Sequence, residues 1–309
     1  MKIAIIGAGA MGSIFGSMLS GVSDVFLITT NKEHVNAINK NGLKIEENDG
    51  SFKKYKLFAS NDPKEINRKV DLAIIFTKSY HTKDAAISTV PILQRDGLAL
   101  TLQNGLGNNG VISDIIGEKR TVAGVTSHGG TLVKPGLVRH AGTGPTHFSG
   151  PGADPEKVAR VAEVFNAAGI ETSISDNLDT LIWGKLIINV GINALTAILR
   201  VQNGIIGVTP ECEKIMEKAV SEAVKVAGAL GIHLPYTKPF NQVKKVCKKT
   251  AQNRASMLQD VLKGSRTEVG VINRAIVSNG LAMGIPTPYN LFLSEIIEAL
   301  EATMENRCI

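Results

Sequence analysis

The chain has 309 residues, 43% hydrophobic and 20% charged, with a formal net charge of +6. That balance excludes an intrinsically disordered chain and suits about two domains of ordinary size. Cys212, Cys247 and Cys308 form no C-x-x-C pair, so neither a disulfide framework nor a zinc or redox site is supported, and a reducing, cytoplasmic location is expected.

Taken in chain order, MKIAIIGAGAMG opens as an apolar run broken at once by glycines, with no cleavable signal peptide ahead of it. Lys2–Ile6 reads as a strand. Met11, Ile14, Phe15, Met18 and Leu19 then fall on one helical face. Val25–Ile28, Val70–Thr77 and Leu98–Gln103 read as further buried strands, separated by helical stretches near Glu33–Lys40, Lys83–Leu93 and Asn108–Ile116. Such alternation predicts a parallel sheet with helices on both faces. Gly129–Gly150, with Pro135 and Pro145, predicts short strands that extend this sheet in antiparallel fashion. From about Ser175 only helices are expected: Leu178–Arg200, Pro210–Leu230, Tyr236–Leu262, Thr267–Met283 and Tyr289–Glu305. The expected architecture is α/β, a Rossmann-type doubly wound domain over residues 1–175 followed by an all-α domain over 176–309.

Gly7-Ala8-Gly9-Ala10-Met11-Gly12 fits G-x-G-x-x-G between a strand and an amphipathic helix. In that setting the first glycine permits the tight turn, the second lets backbone approach a pyrophosphate, and the third lets helix pack on strand. The helix N-terminus then faces the phosphates with unpaired N–H groups.

Ile182–Leu199 is apolar almost all round, yet Lys185, Asn189 and Asn193 recur at i, i+4 and i+8. Charged and amide groups in hydrocarbon are expensive, so a membrane span is rejected. The three residues share one face, and the wall of a polar cleft is preferred over an internal network. Asn253 and Ser256 lie a helical turn apart, and Thr267-Glu268 is expected to open a helix, with Glu268 as a first-turn carboxylate. Asn104 in Gln103-Asn104-Gly105 and Lys78 both follow strands, where open α/β sheets bind ligands, although a simple Asn-Gly turn accounts equally well for the former. Cys247 sits among lysines, which could lower its thiol pKa. The positive charge forms no basic tract interleaved with aromatics, so no nucleic-acid partner is expected.

Together these residues resemble the ketopantoate reductase (2-dehydropantoate 2-reductase) family across nearly the whole chain. The likeness rests on GAGAMG, Lys78, Gln103–Gly105, WGKLIINVGINALTAI, Gln202-Asn203-Gly204, and the stretch from Ser256-Met257-Leu258-Gln259-Asp260 to Thr267-Glu268. The resemblance implies a proton donor at Lys185 and substrate contacts from Asn104, Asn189, Asn193, Asn203 and Ser256. It also places Lys78, Asn104, Gly130 and Glu268 against the cofactor. The chain departs from the family pattern at Thr30, where many members carry arginine, at Gly270, where an aspartate is common, and at Arg274, where a glycine is usual.

The expected activity is NADPH-dependent reduction of 2-dehydropantoate to pantoate, in pantothenate and coenzyme A synthesis. The alternatives are a paralogue that reduces another branched 2-keto acid, and a dinucleotide sensor without turnover. No carboxylate stands at the end of the second strand to accept from a ribose 2′-hydroxyl. Thr30, Asn31 and Lys32 would instead meet a 2′-phosphate, which predicts a modest NADPH preference with NADH usable. No metal is expected. A homodimer is possible through the long apolar helices, but burial in a core explains the same pattern.

Overall fold

A computed structural model describes residues 1–306, and Cys308 lies outside the described residues. The chain divides into two compact units, one of Met1–Gln103 with Gly107–Leu178, the other of Asn104–Leu106 with the described residues from Asp179 onward.

In the first unit, β1 (Lys2–Ile6), α1 (Ala10–Leu19), β2 (Asp24–Ile28) and α2 (Lys32–Asn41) lead into three short strands, β3 (Leu43–Glu46), β4 (Phe52–Tyr55) and β5 (Phe58–Ser60). There follow β6 (Val70–Ile75), α3 (Thr82–Thr89), β7 (Leu93–Thr101), α4 (Asn108–Ile116) and β8 (Thr121–Thr126). The unit closes with β9 (Gly129–Lys134), β10 (Leu137–Gly142), β11 (Thr146–Ser149), α5 (Pro155–Ala167) and β12 (Thr172–Ile174).

The main sheet has the order β12-β11-β8-β7-β6-β1-β2-β5. Its strands from β8 to β5 pair in parallel, β11 is antiparallel to β8, and β12 is parallel to β11. Strand order therefore reverses between β1 and β6, which is the topological switch point of a doubly wound sheet. Alternation along the strands sends Ile3, Ile5, Leu27, Leu72 and Ile74 into one core, under α1. Ala4, Ile6, Ala73 and Ile75 face the other, under α3 and α4.

The segment from Gly129 to Gly150 corrects one expectation. Only β11 extends the main sheet; β9 and β10 join β3 and β4 in a separate sheet of order β4-β3-β10-β9. Periodicity concealed the β3–β4 hairpin because β4 (FKKY) is mostly exposed and offers no apolar alternation. Glycine explains why the second sheet can lie on α1: a Cβ at Gly130 would come 2.2 Å from Cδ1 of Ile14. Buried His34 ties the layers, its Nδ1 accepting from the Gly136 amide at 2.9 Å while its Nε2 meets Ser13 Oγ at 3.1 Å.

The helical unit comprises α6 (Leu178–Leu199), α7 (Asn203–Ile206), α8 (Pro210–Ala229), α9 (Pro239–Lys249), α10 (Ser256–Leu262), α11 (Asn273–Ala282) and α12 (Pro288–Ala302). By length and composition α6 could cross a membrane, but 67% of its most apolar window is buried within the protein. It is the core helix of this unit, with Leu186, Ile187, Val190 and Ala194 almost fully covered.

Two helix boundaries differ from expectation. The stretch expected as one helix from Tyr236 to Leu262 is broken between Thr250 and Ala255. There the carbonyls of Ala251 and Asn253 accept from the amides of Gly204 and Asn203, so they serve α7 instead of a continuing helix. Nor do Thr267 and Glu268 open α11. A 3₁₀ turn over Val269–Val271 intervenes, and α11 starts at Asn273.

Candidate active site

At the switch point, Gly7 has φ +96°, and a Cβ there would lie 2.5 Å from the Thr77 amide nitrogen beyond β6. Only glycine fits both the dihedral and the space. Gly12 is equally constrained, since a Cβ would lie 2.5 Å from Gly7 O and 2.9 Å from Ile5 Cγ2. Gly9 is the opposite case: nothing stands within 4 Å of its missing Cβ, so the ledge above it is open. Ser13 is the first amide of α1 to bond back, to Gly9 O at 3.0 Å. The amides of Ala10, Met11 and Gly12 ahead of it have no intrahelical acceptor, and Ala8 N–H is taken by Ile28 O. A tight turn, an open ledge and a helix N-terminus arranged in this way could hold a pyrophosphate.

Past β2, the Asn31 side chain caps α2 by accepting from His34 N–H at 2.9 Å, and Lys32 is the first helical residue. Thr30, Asn31 and Lys32 are all exposed. Lys78 is half-buried just past β6, at the start of a 3₁₀ turn. Gln103 is a brace: its Nε2 donates to Thr77 O at 2.8 Å and Thr82 Oγ1 at 2.9 Å, while its Oε1 accepts from Thr101 Oγ1 at 2.8 Å. The ends of β6 and β7 are thereby held together. Gly130, on β9, has a packing reason for lacking a side chain in its contact with Ile14.

In the helical unit, Lys185, Asn189 and Asn193 do lie along one side of α6. Lys185 is half-buried, and its ammonium is pushed down to about 8 by burial, against which the Glu268 carboxylate pulls it up. Nδ2 of Asn189 is buried with no protein partner. Asn193 Nδ2 approaches Ser256 Oγ at 3.5 Å, Ser256 being the first residue of α10. Asn203 uses its Nδ2 on Thr250 Oγ1 at 2.9 Å, yet its Oδ1 is buried and unpartnered. Leaving a buried polar atom unpaired costs roughly 1–3 kcal/mol, so Asn189 Nδ2 and Asn203 Oδ1 are each candidates for a polar group of a ligand. Asn104 is grafted onto this unit by its neighbours: Leu106 N–H donates to Val271 O at 3.0 Å, and Gly105, at φ +85°, has room for no side chain against Val271.

Two groups invisible in the sequence support α6. Tyr236 Oη donates to the carbonyl of Gly184 at 2.7 Å, one residue before Lys185, while a Cβ at Gly184 would strike Pro235 at 2.8 Å. Behind the helix, Asn273 Nδ2 bonds Asn290 Oδ1 at 3.0 Å, and the buried Glu222 carboxylate takes the Tyr289 and Asn290 amides at 2.9 Å each. These contacts join residues far apart in sequence, and no periodicity signals them. Cys247 reverses its expectation: it is fully buried, and burial raises its thiol to about 11 despite Lys244.

A glycine turn and open helix N-terminus at the switch point of a doubly wound sheet, with a lysine–asparagine stripe on the helical unit, suit a dinucleotide-dependent oxidoreductase. Residues 3–152 match the family described as Ketopantoate reductase PanE/ApbA, and residues 177–301 match its C-terminal counterpart. The 2-dehydropantoate 2-reductase of Pyrococcus horikoshii is 36% identical over 303 residues, 98% of each chain. That of Halobacterium salinarum is 35% identical over 300 residues, covering 96% of this chain and 98% of the relative. Among solved structures, a PanE/ApbA family ketopantoate reductase from Ralstonia eutropha superposes with a TM-score of 0.91 at 32% identity, over 99% of this chain and 100% of its own. D-mandelate dehydrogenase in its ternary structure with NADH and anilino(oxo)acetate has a TM-score of 0.90 at 31% identity, with the same coverage. The chain belongs to the ketopantoate reductase family.

Proposed function

We propose that this protein reduces 2-dehydropantoate to pantoate, in pantothenate and coenzyme A synthesis, with Lys185 as proton donor. The observation that carries the reading is a lysine whose ammonium is depressed to about 8 on the same helix side as an unpaired buried amide. The cradle of Gly7–Gly12 fits the pyrophosphate of a nicotinamide dinucleotide, with Lys78, Asn104, Gly130 and Glu268 the further candidates for its contacts. When bound, the reduced nicotinamide supplies the hydride to C2 of the keto acid.

The residues of the chain do the rest. As negative charge develops on the carbonyl oxygen, the Lys185 ammonium stabilises it and delivers a proton from Nζ. A lysine with an ordinary pKa holds its proton more tightly; one near 8 is better matched to transfer near neutrality. Asn104, Asn189, Asn193, Asn203 and Ser256 suit a small acid with a hydroxyl and a carboxylate, because they offer donors and acceptors without charge of their own. Residues 1–175 then serve mainly the cofactor, and 176–309 mainly the substrate and any homodimer, with Asn104 and Glu268 as the exceptions. A cytoplasmic location accords with Cys212 and Cys247 being free thiols.

Thr30, Asn31 and Lys32 present no carboxylate to a 2′-phosphate and one cation to attract it, so NADPH is preferred modestly and NADH remains usable. The likeness to D-mandelate dehydrogenase keeps a second substrate class, the aryl 2-keto acids, as the competing reading. The test is oxidation of reduced nicotinamide with 2-dehydropantoate, other branched 2-keto acids and phenylglyoxylate. Wild type should favour 2-dehydropantoate, and Lys185→Ala should lower kcat about 10²–10⁴-fold. Turnover favouring another acid, or a wild-type kcat in the variant, would reject the reading.

A further inference from the structure

The outer face of the four-stranded sheet carries a charge arrangement that neither folding nor the reduction requires. In the β3–β4 hairpin, Lys44 stands directly opposite Lys54. On the other side Lys44 pairs with Leu137 of β10, which in turn pairs with Lys134 of β9. One transverse row of the sheet therefore reads Lys54, Lys44, Leu137, Lys134. Leu43 and Ile45 are buried, so Lys44 between them points outward, and all three lysines are exposed. Directly opposed side chains lie about 5 Å apart at Cβ, and like charges there destabilise the pairing.

Nearby acids do not offset this charge. Glu46, on the next row, is engaged by Arg139 at 3.1 Å, and Glu47 by Lys53 at 3.4 Å. Lysines on an edge strand guard against edge-to-edge aggregation, which accounts for Lys54 on β4. It does not account for Lys44, which lies on an inner strand. The three lysines and Phe52 line a concavity of about 820 Å³ whose lining contains no aspartate or glutamate. Phe52, two residues before Lys54 and on the same face, is 62% exposed. Its ring lies open at the rim of a cationic groove.

We propose that this groove binds a nucleoside polyphosphate, its phosphates on Lys44, Lys54 and Lys134 and its base stacked on Phe52. Lysine ammonium groups bind phosphate as point charges, and an aromatic ring stacks on any base. The groove contains Ala37 and Asn41, from the C-terminal half of α2, whereas the candidate 2′-phosphate contacts lie at that helix's N-terminus. Ala37 and Asn41 lie five and nine residues beyond Lys32, about 7.5 and 13.5 Å along the helix, and none of the glycine-turn residues lines the groove, so the site is distinct from the dinucleotide cradle.

The test is titration calorimetry of ATP, and separately of tripolyphosphate, into enzyme saturated with NADP⁺ at low salt. Saturation keeps the probes out of the cradle. Wild type should bind one ATP, with affinity falling steeply as salt rises. Lys44→Gln with Lys54→Gln should weaken both probes by at least about tenfold, while Phe52→Ala should weaken ATP several-fold and leave tripolyphosphate unchanged. The lysine variant should keep the wild-type kcat and show a higher Tm, because it relieves the opposed charges. Absence of binding by either probe, or binding that survives the lysine substitutions, overturns the site. Equal affinity for ATP and tripolyphosphate, unmoved by Phe52→Ala, overturns the nucleoside assignment. Failure of this experiment would leave the reductase reading intact, since kcat with 2-dehydropantoate is measured separately.

Discussion

The charge pair on the helical unit allows a prediction about pH. A lysine with a pKa near 8 is about nine-tenths protonated at pH 7 and about one-tenth protonated at pH 9. Only the ammonium can give a proton to the developing alkoxide, so kcat/KM for the keto acid, which reports the groups of the enzyme before that acid binds, should fall as pH rises, with a midpoint near 8. An ordinary exposed lysine would place the same limb near 10.4. Burial depresses the pKa and Glu268 opposes it. Removing the carboxylate charge in Glu268→Gln therefore leaves burial unopposed and must move the limb to lower pH. The assay is kcat/KM for the keto acid from pH 6 to 10, for wild type and Glu268→Gln. At pH 6 both enzymes hold a protonated Lys185, so the variant's relative deficit should grow as pH rises. A limb near 10 in wild type, or an upward shift in the variant, would refute the assignment of the proton donor or its pairing with Glu268.

Other perturbations separate the roles of neighbouring groups. Asn189→Ala, Asn193→Ala and Ser256→Ala should each raise KM for the keto acid about tenfold to a hundredfold, from roughly 1.5–3 kcal/mol per charged hydrogen bond; calorimetry should show cofactor affinity nearly unchanged, and lost cofactor affinity would reverse the roles. Lys32→Ala should lower kcat/KM with NADPH more than with NADH, and a clear NADH preference that the substitution does not alter would defeat the 2′-phosphate reading. Tyr236→Phe removes the hydroxyl that holds Gly184 O at 2.7 Å; it should lower kcat with little change in KM for cofactor, and unchanged kcat would show that Lys185 needs no such support.

What the sequence disclosed follows from the range over which its signals act. Gly7, Gly9 and Gly12 were legible because their reasons are local: a turn after β1, an open ledge, and a helix against its own strand. The stripe on α6 was legible for the same reason, since helical spacing alone aligns Lys185, Asn189 and Asn193. The β3–β4 hairpin was not legible, because its second strand is solvated and its pairing with β10 joins residues some ninety positions apart. The break between α9 and α10 holds no glycine or proline. It exists because α7 claims its carbonyls, and only the folded chain contains that contact. Tyr236 and Asn273 were missed likewise, as each acts on α6 from a distant element.

The unpaired atoms of the helical unit also bear on which acid is reduced. Asn189 Nδ2 is a buried donor and Asn203 Oδ1 a buried acceptor, neither met by protein. The carbonyl and carboxylate common to every 2-keto acid can accept, and so can satisfy Asn189. None of those oxygens can donate to Asn203, because the carboxylate is ionised near neutrality. A hydroxyl can. The 4-hydroxyl of 2-dehydropantoate is the group that distinguishes it from 3,3-dimethyl-2-oxobutanoate, which keeps the same carbon skeleton. A site built to hydrogen-bond a hydroxyl rejects the analogue that lacks it far more strongly than a hydrophobic pocket rejects a missing methylene. The expected ratio of kcat/KM for the two acids is therefore about 5- to 150-fold in favour of 2-dehydropantoate, from roughly 1–3 kcal/mol for an acceptor left unpaired. Asn203→Leu should collapse that ratio by weakening 2-dehydropantoate while sparing the deoxy acid. If the variant lost both acids equally, Asn203 would be holding Thr250 and the backbone of the break, and the hydroxyl would have to be recognised elsewhere.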